Sequence, residues 1–400
     1  MRRSYYLLAF FLFININCFS QENNSESFFP ESSFELRGYL SNMQSVMISD
    51  INEQWINDNL FHNRLNFFWY PGNFTASVQL RNRFMYGQTI YMSPGYTDRI
   101  DYEDNFLDLS YNIFSGKSYF LNSNIDRLYI QYTAGKFVLT GGRQRINWGQ
   151  TMVWNPNDVF NVQNYFDFDY PEKPGSDAIR IQFYPAYTSS IELAAKLDSN
   201  NKLTAAGYYM FNKWGYDLQF LAGLLSETDI FAGLGWAGDI EGAGFRGELS
   251  YFQPKENFKD TSGILISSVS LDYTFSNSFY LQFESLYSEK PEGNGISNFY
   301  EYYQGNLDVK SMSFSEWNLF IQASYPFTPL LNGSISFMYF PDLAGFYTGP
   351  SISYSLTNNS VLRLISQIFN GEFMNPFNPG STGEKRTTIF FGFVRYKFNF

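Results

Sequence analysis

The chain has 400 residues, a net charge of −11 and a single cysteine, and aromatic residues make up 20% of it against 16% charged. An acidic chain is a poor partner for nucleic acid, and one cysteine supports neither a disulfide framework nor a thiolate metal centre. After residue 20 no apolar run reaches the ~18–20 residues that a membrane-spanning helix needs, so entry into a membrane would have to use strands.

The first twenty residues read as a secretory signal. Arg2 and Arg3 precede the apolar stretch "YYLLAFFLFI", and Cys18 and Ser20 stand where a signal peptidase takes small residues. Residues 1–20 are therefore expected to be removed, with the only cysteine, leaving 21–32 as a short periplasmic segment ahead of the first strand. Cofactors are not expected.

From residue 33 onward the chain alternates apolar and polar residues. In "FTASVQLRNRF", Phe74, Ala76, Val78 and Leu80 alternate with Thr75, Ser77, Gln79, Arg81 and Arg83. A strand sends successive side chains to opposite faces, so this period predicts strands exposed to different surroundings on their two faces. The pattern predicts about eighteen strands, within a range of 16–18: 33–48, 59–70, 73–88, 124–133, 136–147, 177–185, 188–198, 202–212, 215–225, 228–238, 242–252, 264–276, 278–288, 315–326, 332–340, 347–357, 361–370 and 388–400. Every second connector is short. The long ones are 89–123, 148–176, 289–314 and 371–387. That asymmetry predicts an all-β fold over 33–400: a closed antiparallel transmembrane β-barrel with short periplasmic turns and long extracellular loops.

Turning the polar phase of each strand inward gives two walls. Arg37, Arg64, Arg81, Arg83, Arg127, Arg180, Arg363 and Arg395 form a basic arc, because closure sets the last strand beside the first. His62 and Tyr39 share that arc. Glu192, Asp217, Glu248, Asp272, Glu284 and Glu316 form an acidic arc, with Arg246 the main exception. Facing walls of opposite sign would align small polar solutes that carry a dipole.

The stretch "GRQRINWGQTMVWNPNDVF", residues 142–160, interrupts the rhythm. Arg143 and Arg145 extend the basic arc but share the parity of the outward Phe137 and Leu139. A bulge at Gly141–Gly142 would reset the phase. Trp148 and Trp154 follow, and Asn155-Pro156 with Asp158 reads as a turn. With Asp167, Asp169 and Glu172 further on, loop 148–176 is expected to fold inward and narrow the bore. The spacing of Asp158, Asp167 and Asp169 matches no calcium loop, so no metal site is assigned.

A strand ending in G-R-Q-x-x-x-W-G and followed by N-P-x-D, carried by Gly142, Arg143, Gln144, Trp148, Gly149, Asn155, Pro156 and Asp158, resembles porin-like outer-membrane barrels of Gram-negative bacteria that are distantly akin to alginate-export channels. Tyr396, Phe398 and Phe400 resemble the terminal signal read by the barrel-assembly machinery. The resemblance implies a pore and names no solute. The expected partners are outer-membrane lipid and lipopolysaccharide, the assembly machinery, and small polar solutes; a homo-oligomer is allowed, although no stretch marks a subunit face. A non-conducting binding or adhesion barrel and a polysaccharide-export channel are the competing readings. An enzyme is not expected: a serine hydrolase needs a histidine base, and His62, the sole histidine, reads as inward-facing beside Arg64.

Overall fold

The computed structural model describes residues 33–48, 55–162, 165–256, 258–289, 308–313, 315–373 and 385–400. The expected signal and periplasmic segment, 1–32, lie outside the described residues, as do most of the two expected loops 289–314 and 371–387.

Alternation produces long strands joined by tight turns. β1 (Phe34–Ile48), β2 (Ile56–Trp69), β3 (Phe74–Gly87), β4 (Ser110–Ser115), β5 (Tyr119–Ala134) and β6 (Phe137–Gln144) come first. β7 (Ser176–Ala186), β8 (Ser189–Leu197), β9 (Leu203–Lys213), β10 (Tyr216–Leu225), β11 (Asp229–Ile240), β12 (Ala243–Pro254) and β13 (Ile264–Thr274) follow. β14 (Tyr280–Ser288), β15 (Trp317–Pro326), β16 (Leu331–Phe340), β17 (Gly345–Thr357), β18 (Ser360–Phe373) and β19 (Lys385–Asn399) complete the set. Each barrel strand pairs antiparallel with the next, and β19 returns to pair with β1 from Tyr39↔Asn399 to Ile48↔Phe390. Past the end of β19, Phe400 and Gly38 exchange both backbone hydrogen bonds, at 2.8 and 3.0 Å. The result is a closed cylinder of eighteen strands, each paired with a strand on both sides.

The nineteenth strand, β4, corrects the reading of 89–123 as plain loop. That region holds two short helices, α1 (Gln88–Met92) and α2 (Tyr96–Asp101), then β4. β6 stops at Gln144, so its partner β5 has an unpaired edge beyond Leu128, and β4 occupies that edge from Asn124 to Phe120. β5 accordingly starts at Tyr119, earlier than its alternation implies.

The outer surface carries a belt of exposed aliphatic and aromatic side chains, among them Leu40, Ile130, Ile179, Leu193, Leu234, Ile321, Ile352 and Val394. Exposed aromatics ring both ends: Trp69, Phe74, Tyr132 and Tyr273 near the short turns, and Tyr86, Tyr119, Tyr251 and Trp317 near the long connectors. Hydrocarbon flanked by two interfaces is the surrounding that suits such a surface.

The inner surface departs from the simple polar phase. Inward positions nearest the long connectors are apolar: Phe231, Phe252, Phe320, Tyr347 and Phe369 are buried in one cluster with Trp148, Trp154, Phe160 and Phe166 from the segment after β6. They are inward because protein covers them there, and water does not.

Candidate functional site

The site is built around residues 145–175, between β6 and β7. No register shift occurs at Gly141–Gly142: the β5–β6 and β6–β7 ladders run unbroken through both glycines. The shift lies instead on β5, where Gln79 faces Arg127 and Leu80 faces Ile125, leaving Asp126 as the extra residue. Asp126 and Arg127 are both buried as a result. Gly142 still has a special geometry, with φ of 111° and room only for hydrogen: a Cβ there would stand 2.2 Å from the Leu128 carbonyl oxygen.

From Trp148 to Asn157 the segment is held by carboxylates of the acidic arc. Trp148 donates its indole N–H to Glu192 at 2.8 Å and stacks on Tyr208. Glu248 accepts backbone N–H groups from Gln150, from Thr151 at 2.7 Å and from Asn157 at 2.8 Å, and the Thr151 hydroxyl at 2.9 Å. Glu284 accepts those of Met152 and Val153 at 3.1 Å and of Trp154 at 2.8 Å. Both carboxylates are fully buried. Buried charge is tolerable only when hydrogen-bonded, and successive N–H groups turned to one side make an anion-binding concavity. Ser250 adds a hydrogen bond to the Pro156 carbonyl at 3.0 Å, and Asn157 donates to the Leu234 carbonyl at 2.8 Å.

The middle of the segment is aromatic. Tyr165 packs edge-on to Phe320, Phe166 to Tyr347 and Phe369, and Phe168 to Phe393. Beyond it the contacts pass to the basic arc. Asp169 lies 3.2 Å from the His62 ring nitrogen Nδ1 and 3.4 Å from Arg395. The Arg81 guanidinium sits 3.7 Å over the Tyr170 ring, and the Tyr170 hydroxyl donates to Asp126. Arg127 donates to the Glu172 and Lys173 carbonyls at 2.8 and 2.6 Å. Arg64, fully buried, pairs with Asp126.

The remaining predicted residues are dispersed. Arg180 pairs with Glu192 on the neighbouring strand at 2.6 Å, and Arg246 with Asp272, so the two arcs meet and neutralise at these places. Arg143 is enclosed by Asp177 at 2.8 Å, Glu103 at 2.7 Å and the Leu107 carbonyl. It fastens the α1–β4 region to the barrel, and its charge is fully paired. Arg145 follows the end of β6 and donates to Asn147. Arg37 is exposed beside Glu35, Asp217 accepts from Asn212, Arg363 faces Arg395 across the β18–β19 register, and Glu316 is exposed just before β15 begins. Asn155 accepts the Asp158 N–H at 3.0 Å, closing the expected turn. Asp158 is buried with Oδ1 lacking a hydrogen-bond partner, and burial pushes its carboxyl up to about 7. Asp126 and Tyr170 were not singled out by sequence reasoning; the adjoining pair Asp126–Arg127 in an otherwise alternating strand was the one available signal of a phase break.

A cavity of about 820 Å³ is bounded by the segment on one side and by β1–β3 and the α1–α2 region on others. Arg81, Arg83, Lys196 and Lys310 line it together with Asp58, Asp104, Asp167 and Asp308. Arg81 lies over the Tyr170 ring, and its Nε has no hydrogen-bond partner among the described residues.

No family model and no curated relative matches the chain. Solved structures share the fold. OccAB4 of Acinetobacter baumannii superposes with a TM-score of 0.57 at 12% identity, over 92% of this chain and 99% of that one. OccK11 (OpdR) of Pseudomonas aeruginosa gives 0.54 at 9% identity over 91% and 96%. The outer membrane protein OpdK of Pseudomonas aeruginosa gives 0.52 at 9% identity over 92% and 99%. At such identities the likeness concerns the barrel alone.

Proposed function

We propose that the chain is a porin-like channel of the Gram-negative outer membrane that lets small polar or charged solutes diffuse through its lumen. Segment 148–176 crosses that lumen and narrows it. The observation that carries this reading is the double attachment of one segment: six backbone N–H groups between Gln150 and Asn157 end on Glu248 and Glu284, while Asp169 ends on His62 and Arg395. A connector tied to both arcs divides the bore and leaves the solute path beside it. Glu192, Glu248 and Glu284 are engaged by the segment and by Arg180, while Arg81 and Arg83 line the cavity beside the segment together with Asp58, Asp104 and Asp167. A barrel of the same fold described as an outer membrane protein, OpdK, supports the location.

The test is single-channel recording of the refolded chain in a planar bilayer, with sugars, amino acids and organic acids as blockers. Stepwise conductance that a subset of these solutes blocks is the expected result. A barrel that inserts but never conducts would favour the second reading, a closed binding barrel, which the aromatic packing of the segment against Phe320, Tyr347 and Phe369 also accommodates.

A further inference from the structure

Tyr39, His62, Asp169 and Glu172 form a hydrogen-bond chain that is one proton short. His62, 1% exposed, lies with Nδ1 3.2 Å from Asp169 Oδ2 and Nε2 3.3 Å from the Tyr39 hydroxyl. The same hydroxyl lies 3.3 Å from Glu172 Oε2. With a neutral ring, Nδ1–H donates to Asp169 and Nε2 must accept. Tyr39 has a single hydroxyl hydrogen. If it serves His62, the Tyr39 and Glu172 oxygens face each other with no hydrogen between them. If it serves Glu172, the His62 Nε2 is left without a donor. One further proton on Nε2 resolves the conflict: both ring nitrogens donate, the Tyr39 oxygen accepts from Nε2, and its hydrogen is released to Glu172.

We propose that His62 is a proton-operated latch, in which protonation of the ring completes this chain and fastens residues 169–172 to β1 and β2. The proposal rests on the reading that this segment lies beside the solute path. Its charged surroundings are Asp169 and Glu172 on the segment, Arg64 on β2, 4.0 Å from Glu172, Arg81 and Arg83 on β3, Asp126 on β5, and Arg395 and Lys397 on β19. Lys397 sits 3.7 Å over the Tyr39 ring. Asp169 lines the 820 Å³ cavity, which gives solvent protons a route to the ring. Histidine is the side chain whose ordinary titration falls in the range a periplasm or an external medium covers.

Because the chain has one histidine, nitrogen-15 labelling of that residue in the tag-free mature protein reports its protonation directly. Hydrogen exchange over 167–173, corrected for the intrinsic pH dependence of exchange, reports the attachment. Both are measured from about pH 4 to pH 9, in a D158N background so that Asp158 does not contribute. The expected result is protection that rises about fivefold as the ring protonates, the equivalent of one added hydrogen bond. In Y39F the ring should still titrate while the rise shrinks to what the His62–Asp169 ion pair alone supplies, and in H62Q the rise should be lost. A ring that does not titrate, protection that ignores titration, or a rise undiminished in Y39F would each overturn the latch. Absence of conductance would count against the channel reading alone, since exchange does not depend on it.

Discussion

Trp148 reaches Glu192 across forty-three intervening residues, its indole Nε1–H 2.8 Å from the carboxylate, and Arg180 holds the same oxygen from the next strand. One buried acid thus joins the segment after β6 to the wall beside it. Replacing Trp148 with Phe keeps the ring that stacks on Tyr208 and removes the donor. Glu192 retains Arg180 and Gln182, so the expected loss is about 1 kcal/mol of segment attachment, seen as faster hydrogen exchange over 145–157 with the barrel intact.

Glu284 is the harder contact to replace. Its carboxylate only accepts, and three consecutive N–H groups converge on it. Glu284→Gln presents an amide whose NH₂ faces those donors, and hydrogen bonds to a charged group are worth roughly 1.5–3 kcal/mol each. The variant should show larger and noisier single-channel conductance than the parent. Unchanged conductance and noise would mean that this part of the segment does not border the path.

Asp158 sets a pH dependence of its own. Burial raises its carboxyl from the usual 3.8 to about 7. Between these values the docked segment holds a proton that the released segment gives up, so docking is strongest near the acid end and weakens as pH rises through about 7. Exchange over 150–160 should be slower at pH 5 than at pH 8 after intrinsic correction. Asp158→Asn should abolish the difference.

Ion selectivity tests the basic arc. Arg81 and Arg83 line the cavity, and the double exchange to glutamate reverses the local charge. Reversal potentials in a salt gradient should move toward cation preference. Conductance without any such movement would place the path elsewhere.

Phe400 closes the cylinder through its two backbone bonds to Gly38. Deleting it removes both and the terminal aromatic with them. Assembly into membranes should fall far below that of a distant surface change such as Lys255→Ala, measured by the heat-sensitive gel mobility of folded barrels.

The closed barrel was legible in the residues because its causes are local. Two-residue alternation in "FTASVQLRNRF" and the alternation of short and long connectors depend on neighbours in sequence, and they locate β3 and the turns without reference to distant residues. The phase at Arg143 was not legible. The ladders on both sides of it run unbroken, and it is buried by Glu103, Asp177 and the Leu107 carbonyl, partners distant in sequence.

Sequence alone therefore determined a closed barrel of alternating strands, to within 16–18 of them, and a long connector after β6, since each follows from side-chain period and turn chemistry. Only the tertiary structure decided what the inward charges meet. Glu248 and Glu284 turned out to hold backbone N–H groups about a hundred residues away, and Phe320 and Phe369 face inward under that same connector. Such partners are chosen by how the closed barrel brings distant strands around one segment, and no local pattern encodes that distance.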